Sequence, residues 1–150
     1  MRWRMSLSRL AYLPDVNVLV ALSDPSHVHH RTADNWRQRI GIASFLLCPI
    51  TEAGFVRLMA NPIIGGLSMC DAILLLQEIA ALPNCENLPI EHSWLELIQP
   101  LTPLLHGYRQ VTDALLLGLA IRQEAILVTL DRRIQALAGE AYAANLLTLA

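Results

Sequence analysis

Short apolar runs alternate along the chain with longer segments in which apolar residues recur at helical spacing. The apolar runs predict strands near 10–14, 44–50, 86–90, 125–129 and 145–149. Between them the spacing predicts helices at about 16–22, 29–40, 52–60, 68–81, 92–105, 113–123 and 131–137. Strands and helices that alternate in this way form a parallel sheet. We therefore expect a single α/β domain over residues 1–150, with a central, mostly parallel sheet and helices on both faces.

The overall composition favours a buried core and gives no sign of a membrane segment. Hydrophobic residues make up 54% of the chain and charged residues 16%, which suits an α/β core or a protein that hides apolar surface in an oligomer or complex. No apolar run reaches the roughly 18 residues of a membrane span. The opening MRWRMSLSRLAY has too short an apolar segment for a signal peptide. These features predict a cytoplasmic protein.

All 11 basic residues are arginines, and lysine is absent from the chain. This excludes Schiff-base enzymes, P-loop NTPases and phosphotransferases that pair an Asp nucleophile with Lys. The three cysteines are widely spaced and contain no CxxC pair, so they indicate neither a disulfide framework nor a cysteine zinc site. A net charge of −2 argues against a broad basic surface that coats nucleic acid, although it leaves room for a local groove.

Four acidic residues lie close to strand ends or helix starts. Asp15 ends the first predicted strand, Glu52 follows the second, Asp113 opens a helix after a polar loop, and Asp131 follows the strand AILVT. Because parallel strands end at one edge of their sheet, the four carboxylates can converge on one crevice. Such a cluster requires a cation or retained protons, and oxygen ligands favour Mg²⁺ or Mn²⁺. The reaction that suits this site is metal-assisted hydrolysis of a phosphodiester.

Each acid also has a purely structural interpretation. Asp15 could cap the helix that follows it, and Glu52 and Asp113 could sit in first helical turns after a capping Thr. Asp131 could cap a short helix or pair with a neighbouring arginine. Each single acid is therefore ambiguous, and the metal hypothesis depends on their occurring together.

The segments PDVNVLVAL, TEAGFVRL, VTDALLLGLA and TLDRRI, in this order, resemble the PIN-domain nucleases. More narrowly, they are similar to the VapC-type toxins of bacterial toxin–antitoxin pairs, over about residues 13–137. The resemblance implies an α/β/α sandwich, endoribonuclease activity that depends on Mg²⁺ or Mn²⁺, an RNA substrate, a cognate antitoxin and a homodimer. It also implies catalytic and metal-binding roles for Asp15, Glu52 and Asp113, with Asp131 as a more variable fourth acid. Asn17 matches the amide of the family's DxN motif.

Several polar residues could support this site or bind RNA. Asn17 and Thr112 are candidates for positioning the metal-binding acids. Arg57 follows Glu52 on one predicted helix, whereas Arg109 and Gln110 precede Asp113 by one loop; all three are candidates for substrate binding, since arginine binds phosphate through two parallel hydrogen bonds. Arg109 could instead lie in a solvated loop or a salt bridge, and Arg57 could pair with the antitoxin or within its helix.

Two other functions remain open from the residues alone. One is a PIN-like module that binds RNA or protein without cutting, which the loss of an acid would favour. The other is a phosphatase with Asp15 as covalent nucleophile, which would normally carry Asp at position 17 and a lysine; Asn17 and the absence of lysine count against it. The His27, His29 and His30 cluster lacks a Cys or fourth ligand at zinc spacing and predicts a partly exposed turn and helix start, with the rim of the active groove as the alternative.

Overall fold

Five parallel strands form one sheet in the computed structural model, which describes residues 10–149. Residues 1–9 lie outside this range. They include most of the opening segment whose apolar stretch was judged too short for a signal peptide. The strand order is β3-β2-β1-β4-β5, so the first strand lies at the centre. The strands are β1 Ala11–Pro14, β2 Ser44–Leu47, β3 Cys85–Asn87, β4 Ile126–Thr129 and β5 Leu146–Thr148.

Seven α-helices lie within residues 10–149 and cover both faces of the sheet. They are α1 Val16–Ser23, α2 His30–Ile40, α3 Pro49–Met59, α4 Met69–Ala80, α5 Trp94–Ile98, α6 Val111–Arg122 and α7 Ile134–Ala138. The first four contribute to one hydrophobic cluster and the last three to the other. The predicted α/β/α sandwich with a parallel central sheet is therefore confirmed.

Successive strand residues supply the two cores in alternation. In β2, Leu46 belongs to the α5–α7 side, whereas Phe45 and Leu47 belong to the α1–α4 side. In β4, Leu127 and Val128 divide in the same way. All five side chains are at most 3% exposed. Both faces of the sheet are thus buried at β2 and β4, which explains why these strands read as continuous apolar runs.

Prolines account for the main differences from the predicted elements. The helix predicted at 92–105 is interrupted: α5 ends at Ile98, and a 3₁₀ segment continues over Gln99–Leu104. Pro100 and Pro103 cannot donate the amide hydrogen bonds that a continuous α-helix needs. The second strand ends at Leu47, and Pro49 begins α3 three residues earlier than predicted, in the first helical turn where proline is tolerated.

The remaining boundaries shift by a few residues. Strand β3 is shorter than the predicted 86–90, and α6 begins at Val111 instead of 113. Helix α7 begins at Ile134 instead of 131, because the Asp131 side chain accepts a hydrogen bond from the Arg133 backbone N–H and forms a turn before the helix. Within residues 10–149, every helix is too short or too polar to cross a membrane.

Candidate active site

Asp15 lies between the end of β1 and the start of α1 and is almost completely buried. Its Oδ1 accepts a hydrogen bond of 2.9 Å from the Val18 backbone N–H, so the carboxylate caps α1. The capping interpretation is therefore correct as far as it goes. Burial nevertheless raises the pKa of Asp15 to about 6, against the lowering effects of its hydrogen bonds from Thr129 and Val18; repulsion by Asp113 and Asp131 adds to the rise. The pKa of a solvent-exposed capping Asp would not be raised in this way. A buried carboxylate whose charge is unfavourable is suited to bind a cation.

The second hydrogen bond to Asp15 comes from Thr129, the last residue of β4. The Thr129 hydroxyl donates to Asp15 Oδ2 at 2.6 Å and accepts from the Asp131 backbone N–H at 3.0 Å. Sequence reasoning missed this residue. Thr129 stands at the end of a predicted strand, two residues before an acid, and this position could have suggested a role. Its contact with Asp15 nevertheless depends on β4 lying beside β1 in the sheet.

Asp113 and Asp131 share a cavity of about 230 Å³ at this edge of the sheet. Burial raises the pKa of the half-buried Asp113, and the neighbouring Asp131 raises it further. Asp131 itself is held by Arg133 through hydrogen bonds of 2.8–3.1 Å from Nε and Nη2, and these lower its pKa. The arginine pairing considered for Asp131 is thus present, whereas burial raises the pKa values of Asp15 and Asp113.

Glu52 lies in the first turn of α3, after β2, at the same edge of the sheet. Gly54 allows α3 to approach α1 closely: a Cβ atom at Gly54 would lie 2.6 Å from the Val16 side chain, next to Asp15. Glu52 lines a separate, open groove of about 800 Å³ between α3 and α4. The pKa of the Cys85 thiol is raised to about 11, mainly by burial and secondly by the nearby Glu52 carboxylate. The structure therefore brings Asp15, Asp113 and Asp131 into electrostatic contact and places Glu52 in an adjoining groove.

The candidate substrate residues divide between these two concavities. Arg109 and Gln110 line the cavity of Asp113 and Asp131, whereas Arg57 lines the groove of Glu52. Gln110 is held in place by its side-chain oxygen, which accepts from the backbone N–H groups of residues 106 and 107. Arg109 is exposed, and its Nε donates a long hydrogen bond of 3.3 Å to the Tyr108 hydroxyl.

The two candidates for supporting residues lie at helix starts. Asn17 is exposed in the first turn of α1, and the hydrogen bonds to Asp15 come from Val18 and Thr129 instead. Thr112 is exposed in the first turn of α6, directly before Asp113. Neither Thr51 nor Thr112 occupies an N-cap position, which Cys48 holds in α3 and Gln110 in α6. The Thr51 hydroxyl instead accepts a hydrogen bond of 3.1 Å from the Cys48 backbone N–H.

The histidine cluster forms a turn before α2, as predicted. The His29 backbone N–H donates to His27 Nδ1 at 3.0 Å, and His30 Nδ1 lies 2.7 Å from the Ala21 carbonyl oxygen. These local hydrogen bonds account for the ring positions of two of the three histidines without a metal.

The donor set fits a hard divalent cation, although it is not a closed cage. Across residues 10–149, no group of three or more His, Cys, Asp or Glu side chains is arranged to hold a metal ion by itself. Mg²⁺ usually takes only one or two protein carboxylates and completes its shell with water and substrate phosphate. Asp15 and Asp113, whose pKa values are raised by burial and by neighbouring acids, are two candidate carboxylates for such an ion.

Comparison with known proteins identifies the family. Residues 12–140 match the PIN domain family. Ribonuclease VapC38 of Mycobacterium tuberculosis is 41% identical over 130 residues, which cover 85% of this chain and 90% of that protein. Ribonucleases VapC39 and VapC44 of the same species are each 37% identical, covering 79% and 81% of this chain and 87% of either protein. The chain therefore belongs to the PIN domain family and, within it, to the VapC-type proteins.

Proposed function

We propose that this protein is a Mg²⁺- or Mn²⁺-dependent endoribonuclease and the toxin of a type II toxin–antitoxin pair. The observation that supports the proposal is the close approach of three acids at the carboxyl edge of a parallel sheet: the Thr129 hydroxyl bridges the Asp15 carboxylate and the Asp131 backbone N–H, and Asp113 shares a cavity with Asp131. The similarity to proteins named VapC ribonucleases supports the same reaction. A ribonuclease of this kind meets its substrate in the cytoplasm.

In this proposal Asp15, Glu52, Asp113 and Asp131 are the catalytic, metal-binding acids. When bound, the metal lowers the pKa of water and neutralises charge on the phosphate. Asp15 supplies a carboxylate fixed on two sides by Val18 and Thr129. Glu52 would contribute its carboxylate from the adjoining groove, and Asp131 would contribute the carboxylate that Arg133 binds in this structure.

The proposed phosphate contacts come from the two concavities beside the acids. Arg109 and Gln110 hold the phosphate on the Asp113 side, and Arg57 holds the strand on the Glu52 side. Asn17 and Thr112 are proposed as supporting groups, since each stands in the helical turn that carries a metal-binding Asp.

The proposed partners are RNA, a cognate antitoxin and a second copy of the chain. Large apolar side chains on and before α4 support a protein partner, because isolated soluble surfaces rarely cluster such groups. Ile63 is 93% exposed, and Met69 and Leu74 are at least half exposed.

Cleavage of a labelled RNA tests the reaction. We expect cleavage with Mg²⁺ or Mn²⁺, none in EDTA, and no rescue by Ca²⁺, whose larger and looser coordination does not suit a site requiring near-octahedral geometry. Asp113→Asn should abolish cleavage, whereas Asp34→Asn should not, because the Asp34 carboxylate accepts from Gln38 on its own helix and lines neither concavity. Full cleavage in EDTA would overturn the metal dependence. RNA binding without any cleavage would favour a PIN-like binding module.

A further inference from the structure

Both oxygens of the Asp131 carboxylate are bound by one neighbouring residue, Arg133. Oδ1 accepts hydrogen bonds from the Arg133 backbone N–H at 2.9 Å and from its Nε at 3.0 Å. Oδ2 accepts from Nε at 3.1 Å and from Nη2 at 2.8 Å. A carboxylate offers about four lone-pair positions to hydrogen-bond donors. The contacts from Arg133 fill these positions, so a cation can bind Asp131 only after the guanidinium has moved away.

The Asp15 carboxylate at the same edge of the sheet is bound less completely. Each of its oxygens accepts one hydrogen bond, from the Val18 backbone N–H or the Thr129 hydroxyl, so each keeps a lone pair for a cation. In the described part of the chain, the contact of Arg133 with Asp131 is the one ion pair within 4 Å. Asp131 is therefore distinguished from Asp15 by having a positively charged partner.

Arg133 also acts on the second acid of this cavity. Its side chain lines the cavity together with Asp113 and Asp131. Burial and the charge of Asp131 raise the pKa of Asp113, whereas the charge of Arg133 lowers it. The guanidinium thus compensates negative charge on two acids at once. Without a metal it supplies one of the two positive charges that a divalent cation would bring.

The pairing of Arg133 with Asp131 is local and open to water. The side chain of Arg133 is 80% exposed and that of Asp131 is 27% exposed. Ion pairs in such surroundings contribute little to stability, so this one can be broken at small cost. The turn that precedes α7 keeps the two residues adjacent, and the guanidinium therefore stays within reach of the carboxylate after it has been displaced.

We propose that Arg133 is an internal counter-ion that competes with the divalent metal for Asp131 and so lowers the metal affinity of the site. This inference rests on the proposed metal-dependent function and concerns its regulation. The site fills only when the divalent ion is concentrated enough to displace the guanidinium, and Arg133 returns to Asp131 when the ion leaves. Arg133 thereby sets the metal concentration at which the nuclease becomes active.

Calorimetric titration of the full chain with MnCl₂, without RNA, tests the competition. Arg133→Ala should lower the Kd for Mn²⁺ about three- to tenfold, as expected when a weak competing ion pair is removed. Arg133→Lys keeps the charge but loses the parallel hydrogen bonds, so its Kd should lie between the two. Arg132→Ala is the matched control: Arg132 is exposed and, among the described residues, is not part of the cavity lining. Its loss removes the same charge and should change the Kd by less than about twofold.

A second pair of variants locates the effect at Asp131. When Asp131→Asn is already present, adding Arg133→Ala should change the Kd for Mn²⁺ by less than about twofold, because the carboxylate for which the two cations compete is gone. Melting temperatures in EDTA show that each variant is folded, and that of Arg133→Ala should stay close to wild type since the side chain is exposed. In cleavage assays, the Mn²⁺ concentration that gives half-maximal activity should fall in Arg133→Ala by the same factor as the Kd.

The outcomes separate this inference from the proposed function. Unchanged or weaker Mn²⁺ binding by Arg133→Ala would overturn the competition, and weaker binding would show that Arg133 instead orients Asp131 for the metal. An equal gain in Arg132→Ala would also overturn it, by reducing the effect to net charge. If either result is found while wild type cuts RNA with Mn²⁺, the ribonuclease stands. If Arg133→Ala binds Mn²⁺ more tightly but neither protein cuts RNA, the competition stands and the ribonuclease fails. If neither protein binds Mn²⁺, both are wrong.

Discussion

Asp15 and Thr129 are 114 residues apart in the sequence, yet their side chains share a hydrogen bond of 2.6 Å in the interior of the protein. The contact forms because β1 and β4 are neighbours and end at the same level of the sheet, with Pro14 opposite Val128. Thr129 is fully buried, and Asp15 is 7% exposed. The hydroxyl therefore compensates part of the cost of placing a carboxylate at the centre of the fold.

Thr129→Val should destabilise the protein by about 1–3 kcal/mol, because it keeps the shape of the side chain and leaves Asp15 Oδ2 without its donor. It should also reduce RNA cleavage, since the carboxylate loses the group that orients it. Denaturant unfolding and cleavage rates measure the two effects. Thr129→Ser, which retains the hydroxyl, should recover most of both. Thr148→Val on the neighbouring β5, half-buried and bonded only weakly to Gln135, should change little.

The metal-free protein should lose stability as pH rises from about 4 to 6 through ionisation of Asp15. The folded-state pKa of about 6 lies above the ordinary value of 3.8, so the folded protein holds this proton more tightly than the unfolded chain. The resulting stabilisation is complete below pH 3.8 and is lost as pH passes 6. Asp15→Asn retains a capping amide and should remove this dependence, which amounts to roughly 2–3 kcal/mol.

Thermal melts in EDTA across this pH range measure the difference between wild type and Asp15→Asn. Asp24→Asn provides the opposite control, because hydrogen bonds from Ser26 lower the pKa of Asp24. The Asp24 carboxylate therefore adds stability to wild type as pH rises, and Asp24→Asn should remove that gain. Parallel curves for wild type and Asp15→Asn would show that burial does not disturb Asp15.

The sequence predicted the sheet and the edge at which the acids gather, because strand periodicity and chain order determine both. It could not predict which neighbours compensate each acid. Asp15 depends on Thr129 through the order of the strands, and the pairing of Asp131 with Arg133 was one of several local options. The groove occupied by Glu52 depends on how closely α3 approaches α1 at Gly54, which is a matter of packing and not of pattern.

Helix boundaries were predicted less well than the helices themselves. The break after Ile98 follows from prolines that remove hydrogen bonds while the apolar spacing continues, so the periodicity alone indicated one longer helix. Tyr108 stands five residues before Asp113 in the sequence. Its exposure could not be read from the sequence, because exposure depends on tertiary packing.

Gly118→Ala should destabilise the protein by about 1–3 kcal/mol, although alanine is the better helix former. A Cβ atom at Gly118 would collide with the backbone carbonyl of Leu97, where α6 crosses α5. The shift would move Asp113 on the same helix, so cleavage should fall as well. Gly107→Ala is the matched control, since nothing lies within 4 Å of its added methyl group. Equal melting temperatures for the two variants would contradict the close approach.

Arg109→Ala should lower kcat/KM for RNA about ten- to a hundredfold, the range expected when a charged hydrogen bond to phosphate is lost. Its melting temperature should match that of wild type, because the side chain is exposed. Arg39 is an exposed arginine on α2 whose Nε donates to the Asn35 carbonyl oxygen of the same helix, so Arg39→Ala should leave kcat/KM unchanged. If the two variants have equal kcat/KM on the true substrate, Arg109 is only a surface residue.

The last prediction sets activity against stability at Asp113. Burial and the nearby Asp131 raise the pKa of Asp113, so its charge is unfavourable when no metal is bound. Asp113→Asn should relieve that repulsion: the variant should be inactive, yet at least as heat-stable as wild type in EDTA. At ten times its Kd, Mn²⁺ should stabilise wild type by about 1.4 kcal/mol through mass action, and stabilise the variant markedly less. Melts with and without Mn²⁺ measure both effects. If Asp113→Asn instead melts well below wild type in EDTA, and Mn²⁺ shifts both equally, the carboxylate serves the start of α6 alone and binds no metal.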